Sequence, residues 1–464
     1  MQKRIVASAL TALFVAQQSM LLSVAGSEIT GVNGNNGIYD IHPGAVIPGT
    51  DIGYKKYENF NLSKGDIANL IYKYGADNIE TFINLVDNKI NINGIVNSMR
   101  DGNFYNGKAI FVSPNGMIVG ASGVLNVGSL GVYTPTDVTY NRYKNNPSAD
   151  LTALQASNSG KEITINGKVL AANDVTLQGG KISVGKDGGI IAGVNEKQML
   201  AMASHQQADA LFKQLVNTDN LNTGNSFASN NGNIYIKANQ RLDNAGVDIA
   251  GTVKNFGKGN TKIQSTGIDG VKISGTVSNA DGLLKVNNNW GDINISGDIK
   301  NNGTTQIFNV PGDSKVTFTV NGKEYSYTLD TNSGIDISGN IDTKGDLTIN
   351  NTGQKGLTIS GNVNHDGNSS VQNGYLKNSN NKTAGLNITG TFNTTGDANF
   401  VNTADGVDGM NISGNITTGG TATYNNAGAG GLNVINNGKV SAKDVYMTNT
   451  GSKGVNIDSA ARVN

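Results

Sequence analysis

One short phrase recurs from about residue 245 to the end of the chain: VDIAGTV, VKISGTV, INISGDI, IDISGNI, LTISGNV, LNITGTF, MNISGNI. Its central isoleucines are Ile249, Ile273, Ile295, Ile337, Ile359, Ile388 and Ile412, and most steps are 22 to 24 residues. The step from Ile295 to Ile337 is close to two periods, and the step to Ile388 carries an insertion. Looser copies surround Val434 and Ile457, and an earlier one, ITINGKV, runs from Ile163 to Val169. Each copy alternates apolar and polar residues, as a half-buried strand does. A second alternating stretch lies between copies, as in GDLTINNTG and DVYMTNTG. One period therefore holds two or three strands joined by turns. A single such coil cannot bury its inner face, whereas stacked coils can. The fold class this predicts is all-β, a right-handed parallel β-helix (β-solenoid). About ten coils after residue 245, stacked at about 4.8 Å, make a rod roughly 50 Å long. Composition agrees: 62 glycines but only 6 prolines, and about 68 asparagines, far above ordinary usage, are what many tight turns require.

Asn351, Asn426 and Asn449 each lie eight residues before the strand residue that follows (Ile359, Val434, Ile457). Ser265 keeps the same offset before Ile273, and Asn402 sits near it, displaced by two. Identical amides at one position of successive coils can form a hydrogen-bonded ladder. Asparagine also tolerates left-handed turn geometry, but the shared offset favours the ladder.

Two stretches break the strand pattern. In Asn195–Val216, Leu200, Ala208, Leu211, Phe212 and Leu215 fall on one helical face, which predicts a short α-helix extruded from a coil and packed on the rod's side. It carries His205, read as a solvent-exposed histidine. In SKGDIANLIYKY, Ser63 and Asp66 resemble a capping box, and Ile67, Leu70, Ile71 and Tyr74 form a helical stripe, so a second short helix is expected there.

The N-terminus places Lys3 and Arg4 before an apolar stretch and ends in Ser23-Val24-Ala25. This is the pattern of a secretory signal peptide cleaved near Ala25. Gln17, Gln18 and Ser19 interrupt the run before the roughly 20 residues a membrane span needs. There is no cysteine, so repetition and burial must supply the stability that disulfides give other secreted chains. Lys+Arg and Asp+Glu are both 35, which argues against nucleic acid as a general partner.

No chemistry-bearing motif appears. His42, His205 and His365 are far apart, and metalloprotease, calcium-loop and serine-nucleophile signatures are missing. Solenoids also host enzymes that cleave acidic polysaccharides. Those need clustered acids, whereas acids such as Asp292, Asp298 and Asp405 stand singly in turns. The expectation is no enzyme, no cofactor and no metal, with glycan binding through Asn/Thr/Gly turns left open.

Before the repeats lies AIFVSPNGMIVGASGVLNVG, Ala109 to Gly128. It resembles the signature of the two-partner secretion domain, the haemagglutination-activity domain of filamentous haemagglutinin-like adhesins, in particular a leukotoxin-like subgroup. That family shows a strand, Asn-Pro-Asn-Gly, a second strand, glycine, a spacer and a strand ending in Val-Gly. Here Ser113, Pro114, Asn115 and Gly116 stand at the turn, with Gly120 and Gly128 after the strands. Upstream, YENFNL (57–62) is similar to an early aromatic strand. Asn84 and Val86 match an Asn-Arg-Val motif, and Ile92-Asn93-Gly94-Ile95-Val96 is similar to an Ile-x-Gly-x-Ile element. Ser113 replaces an asparagine and Leu85 an arginine.

The resemblance, which covers about residues 28 to 135, implies a secreted surface adhesin. Its chain would cross the periplasm, be recognised by the periplasmic domains of an outer-membrane β-barrel transporter, and fold outside. A host glycan or surface receptor is the implied ligand class, and a monomeric rod the implied state. A solenoid polysaccharide-degrading enzyme and an autotransporter passenger are the alternatives. The organisation expected is a signal peptide (1–25), a secretion domain (26–140), a β-helix continuation with a helical insertion near 195–216 (141–244), and the repeats (245–464). The chain stops at SAARVN with no capping repeat, so it reads as a fragment.

Overall fold

The computed structural model describes residues 26–156, 160–218, 229, 232–239, 245–310, 315–320, 323–328, 333–374, 384–403 and 408–464. The signal-peptide expectation and Asp405 lie outside the described residues. From Phe60 onward the chain winds through three main strands per coil, and these pair in parallel with their counterparts in adjacent coils, while short pieces such as Lys73–Tyr74 with Asp77–Asn78 and Asn103–Phe104 on Met99–Arg100 pair antiparallel. The coil that starts at Gly246–Ile249 shows the pattern. That strand pairs with Gly270–Ile273, Thr252–Asn255 with Thr276–Asn279, and Thr261–Ser265 with Leu284–Asn288. Three parallel sheets result, a β-helix as the alternation predicted. The first sheet has fifteen strands, and all but Glu28–Ile29 run parallel. The second and third sheets fuse where single bent strands, Asn340–Asn351 and Asn362–Asn373, turn the corner between them.

The inner side chains form one apolar column from Ile29 to Ala461. It is filled mainly by isoleucine, valine and leucine, one or two per strand. Rings occupy two places in it: Tyr57, Phe60 and Phe111 meet edge-on near one end, and Phe400 stacks on Tyr424 near the other, with centroids 5.0 Å apart. The Ser-Gly of the repeat sits at the corner between the first and second sheets. There a Cβ on Gly275, Gly297, Gly339, Gly361, Gly390 or Gly414 would strike the carbonyl of the corner glycine one coil before. The stacking distance itself therefore demands glycine, which is why the phrase keeps it.

Antiparallel pieces close the N-terminal end. Glu28–Ile29 lies on Phe60–Leu62, and Ala45–Val46 on Ile52–Tyr57. They occupy strand edges that would otherwise present unpaired backbone groups.

Three expectations need correction. Ser63–Tyr74 is no helix. Ile67–Ile71 is a strand paired in parallel with Ile38–Ile41 and Ile95–Met99, with Ala68 and Leu70 turned inward. Ser63 and Asp66 form a turn with Gly65 at φ +95°, and Asp66 accepts from Ser27 at 2.5 Å. Pairing on both edges outweighs a helical stripe that only four residues support. Ile295 and Ile337 are register partners in adjacent coils, so the long step between them is one coil, not two. An antiparallel hairpin, Lys315–Val320 with Lys323–Thr328, accounts for part of the extra length, and among the described residues nine first-sheet strands follow residue 245 instead of about ten. Third, the insertion at 195–216 is only partly helical. A 3₁₀ turn, Glu196–Gln198, and an extended segment precede the helix His205–Asn217, and Leu200 lies outside that helix with 61% of its surface exposed.

Candidate functional site

The stretch Lys108–Tyr133 supplies the last strand of the second coil and all three of the third. Lys108–Val112 and Ser129–Tyr133 are partners in the third sheet, Met117–Val119 lies in the first, and Val124–Val127 in the second. The order Ser113-Pro114-Asn115-Gly116 is that of a type I turn, with a capping oxygen first, proline second and glycine last. Gly116 N–H donates to Ser113 O at 3.4 Å, and Gly116 has φ +89°. Ser113 Oγ accepts from the Asn115 N–H at 3.0 Å and donates to Asn88 O at 2.8 Å. A side-chain oxygen capping the N–H two residues on is what asparagine would also supply, so Ser113 keeps the role with a smaller group. Asn115 Nδ2 donates to Asp87 O at 2.8 Å. The turn is thereby tied to the previous coil at two carbonyls, those of Asp87 and Asn88.

Asn84 points into the core. Its Oδ1 accepts from Tyr57 Oη at 2.9 Å and its Nδ2 donates to Ile110 O at 3.2 Å. Burial pushes the Tyr57 hydroxyl well above its usual value of 10, so it stays a donor. Val86 joins the same core. Gly94 and Gly128 sit at corners where a Cβ would strike Asp66 O and the Asn106 backbone, and one on Gly120 would strike Asn93 Oδ1.

Leu85 faces outward and is nonetheless fully buried. The helix Asp137–Asn145, N-capped by Thr136, and the short helix Thr152–Ala156 lie over it. Tyr140, Tyr143 and Leu154 pack there against Ile83, Leu85, Ile110, Val112 and Tyr133. Asp87 clamps this cover: it accepts from Tyr140 Oη at 2.9 Å and pairs with Lys144 Nζ at 2.5 Å. Sequence reasoning missed both helices. The available signal was Thr136-Asp137 after a proline, with tyrosines three apart.

The insertion at 195–217 performs the same service on the second sheet. Ala208 and Leu215, with Leu211 and Phe212, cover outward-facing Ile95, Val124, Leu170 and Ile191. Asn97 grips Met202 through both amide atoms, donating to its carbonyl at 3.0 Å and accepting from its N–H at 2.9 Å. His205 is half-buried rather than solvent-exposed: its Nε2 lies 2.7 Å from Ser122 O. Lys254 Nζ meets the carbonyls of Val216, at 3.0 Å, and Thr218, a cation at the helix's negative end.

Asn351, Asn426 and Asn449 lie at one corner of the rod, joined by Asn288, Asn309, Asn373 and Asn402. Each amide donates to the next coil: Asn288 to Asn309 at 3.1 Å, then on to Asn351 (2.9 Å), Asn373 (2.8 Å), Asn402 (2.9 Å), Asn426 (2.7 Å) and Asn449 (2.6 Å). Asn402 is in register, because the turns before Ile412 are two residues longer. A second buried row runs Asn255, Asn279, Asn301 and continues in register through Thr343 to His365, whose Nδ1 is 3.0 Å from Thr343 Oγ1. Outer rows donate the other way, towards earlier coils: Asn433 to Asn411 to Asn387, Asn362 to Asn340 to Asp298, and Asn126 to Asn97 to Asn69 to Asp40.

Among the described residues no group of three or more His, Cys, Asp or Glu is placed to hold a metal, and no helix is long and apolar enough to cross a membrane. Asp292 pairs with Lys355 at 2.6 Å. No family model matches the chain, and no curated protein does. Among solved structures the chain is similar to the HMW1 secretion domain from Haemophilus influenzae. The identity is 11% and the TM-score 0.24, over 95% of this chain and 99% of that one. That superposition is loose, and the functional reading rests instead on the chain's own coils and turns.

Proposed function

We propose that this chain is a secreted, non-enzymatic bacterial surface exoprotein of the filamentous haemagglutinin-like kind. An outer-membrane β-barrel partner exports it through residues 26–140, and it folds outside as an adhesive, monomeric rod. The observation that carries the reading is the Ser113–Gly116 turn, which resembles the secretion-domain signature and is bonded to the coil before it at the capped end of a solenoid. Once the early coils and their helical covers are in place, each later coil contacts only its neighbours, so folding can propagate along the repeats, and the folding free energy can draw the chain outward without ATP. Asn84, Val86, Gly94, Gly120 and Gly128 complete the address by fixing the first coils.

The test is export of the full chain from cells carrying such a transporter. Replacing Asn115 and Gly116 by valine removes the Asp87 bond and places a Cβ 2.5 Å from Glu162 O. The double variant is expected to accumulate in the periplasm. Normal surface yield of that variant would sink the proposal.

A further inference from the structure

The three sheets differ in outward charge. The first alternates signs along one row, Asp248, Lys272, Asn294, Asp336, and the second sets Asp298 beside Lys300. The third differs. One of its outward rows reads Tyr235, Lys262, Lys285, Gln306 in register. The parallel row, two residues along each strand, reads Lys237, Gln264, Asn287, Phe308. Neither row holds a carboxylate from Thr176 and Gln178 to Tyr446 and Thr448.

The eight side chains are half-buried, each in a strand that alternates with core residues. None of the ion pairs among the described residues uses Lys237, Lys262 or Lys285. Lys262 and Lys285 are direct register partners, about 4.8 Å apart along the stack, and like charges so placed cost stability. The ammonium groups lean on rings at opposite corners of the patch: Lys262 Nζ lies 5.4 Å from the Tyr235 centroid, and Lys285 Nζ 5.0 Å from that of Phe308. Such contacts hold the cations at the surface without neutralising them.

We propose that this face binds an acidic polysaccharide. This rests on the adhesive reading of the rod and supplies its ligand class. Three uncompensated cations spread over three coils match a polymer with regularly spaced anions, which would relieve the Lys262–Lys285 repulsion. The rings of Tyr235 and Phe308 suit the apolar faces of sugar rings, and Gln264, Asn287 and Gln306 can reach hydroxyls. A nucleic acid is the poorer fit: the patch carries no arginine fork for phosphate, and the net charge is zero.

The test is binding of the purified full chain to immobilised polygalacturonate, chondroitin sulfate, neutral dextran and double-stranded DNA. It needs no export, so its failure is separate from failure of the secretion reading. Retention on at least one acidic polysaccharide at about 0.1 M salt, with release by about 1 M, is expected. The triple variant Lys237→Gln, Lys262→Gln, Lys285→Gln should bind about tenfold or more weakly with an unchanged circular dichroism spectrum. Tyr235→Ala with Phe308→Ala should weaken sugar binding while leaving the salt dependence in place. The proposal is overturned if no acidic polysaccharide binds, if the triple variant binds like the parent, or if dextran or DNA binds as tightly.

Discussion

The early coils and the late coils stack in the same way and treat their outer faces differently. In Thr81–Val86 and Ser129–Tyr133 outward as well as inward residues are buried, because helices lie over them. In Leu284–Asn288 or Ala398–Asn402 burial alternates strictly, and the outer residues stay partly wet. An apolar outer face obliges the chain to bring back a cover from far along the sequence, as when Met202 returns to Asn97, 105 residues away. A polar outer face needs only the next coil. The early coils therefore complete their packing only after residues 137–217 have arrived, whereas the repeats complete theirs coil by coil.

The sharpest way to break this contrast is Leu85→Arg, which places there the arginine of the secretion-domain signature that this stretch resembles. Leu85 is fully buried under Tyr140 and Tyr143, and an unpaired guanidinium there should cost about 3 kcal/mol or more. Limited proteolysis should then cut within 137–156 while the repeats stay protected. Cleavage no faster than in the parent would mean that the helices do not cover that face. Next in size is Asn351→Ala. It removes the acceptor of one buried Asn309 N–H and the donor to Asn373 Oδ1 and should cost about 1–3 kcal/mol, read as faster amide exchange in the two flanking coils. The exposed counterpart, Asn362→Ala, should stay within about 0.5 kcal/mol. Equal effects from the two would remove the distinction between inner and outer rows.

The smallest effect concerns pH. Burial lowers the pKa of His365 from its usual 6.5, and Asn368 O at 2.9 Å engages Nε2. The fold prefers the neutral ring. Its contribution is full above about pH 6.5 and is lost as pH falls through the lowered value, because the unfolded chain then binds the proton more readily. The urea midpoint of the repeats should drop between pH 7.5 and 5, and His365→Gln should flatten that drop. An identical drop in the variant would assign it to other groups.

Much of the late region is legible from sequence because its strand alternation, its corner Ser-Gly and its amide spacing are local signals repeated many times. The early region is less so. Ile67, Leu70, Ile71 and Tyr74 fit a helix as well as a strand, and only the partners 38–41 and 95–99 decide between them. Tyr140 and Tyr143 gain meaning from Ile83 and Leu85 more than 50 positions away, which no local window contains. Leu85 itself looks like a defect in a motif until the helix above it is seen. His365 looks isolated in the sequence because its place in a polar row depends on register, and register depends on the lengths of the loops between coils.

The opposed directions of the inner and outer amide rows have an electrical consequence. Aligned peptide dipoles add head to tail, as they do along a helix, and a one-way column of asparagines repeated for many coils would likewise build charge at its two ends. Here the core column points its N–H groups towards later coils and the surface columns point theirs back. The fields oppose, so coils can be added without the rod becoming progressively polarised.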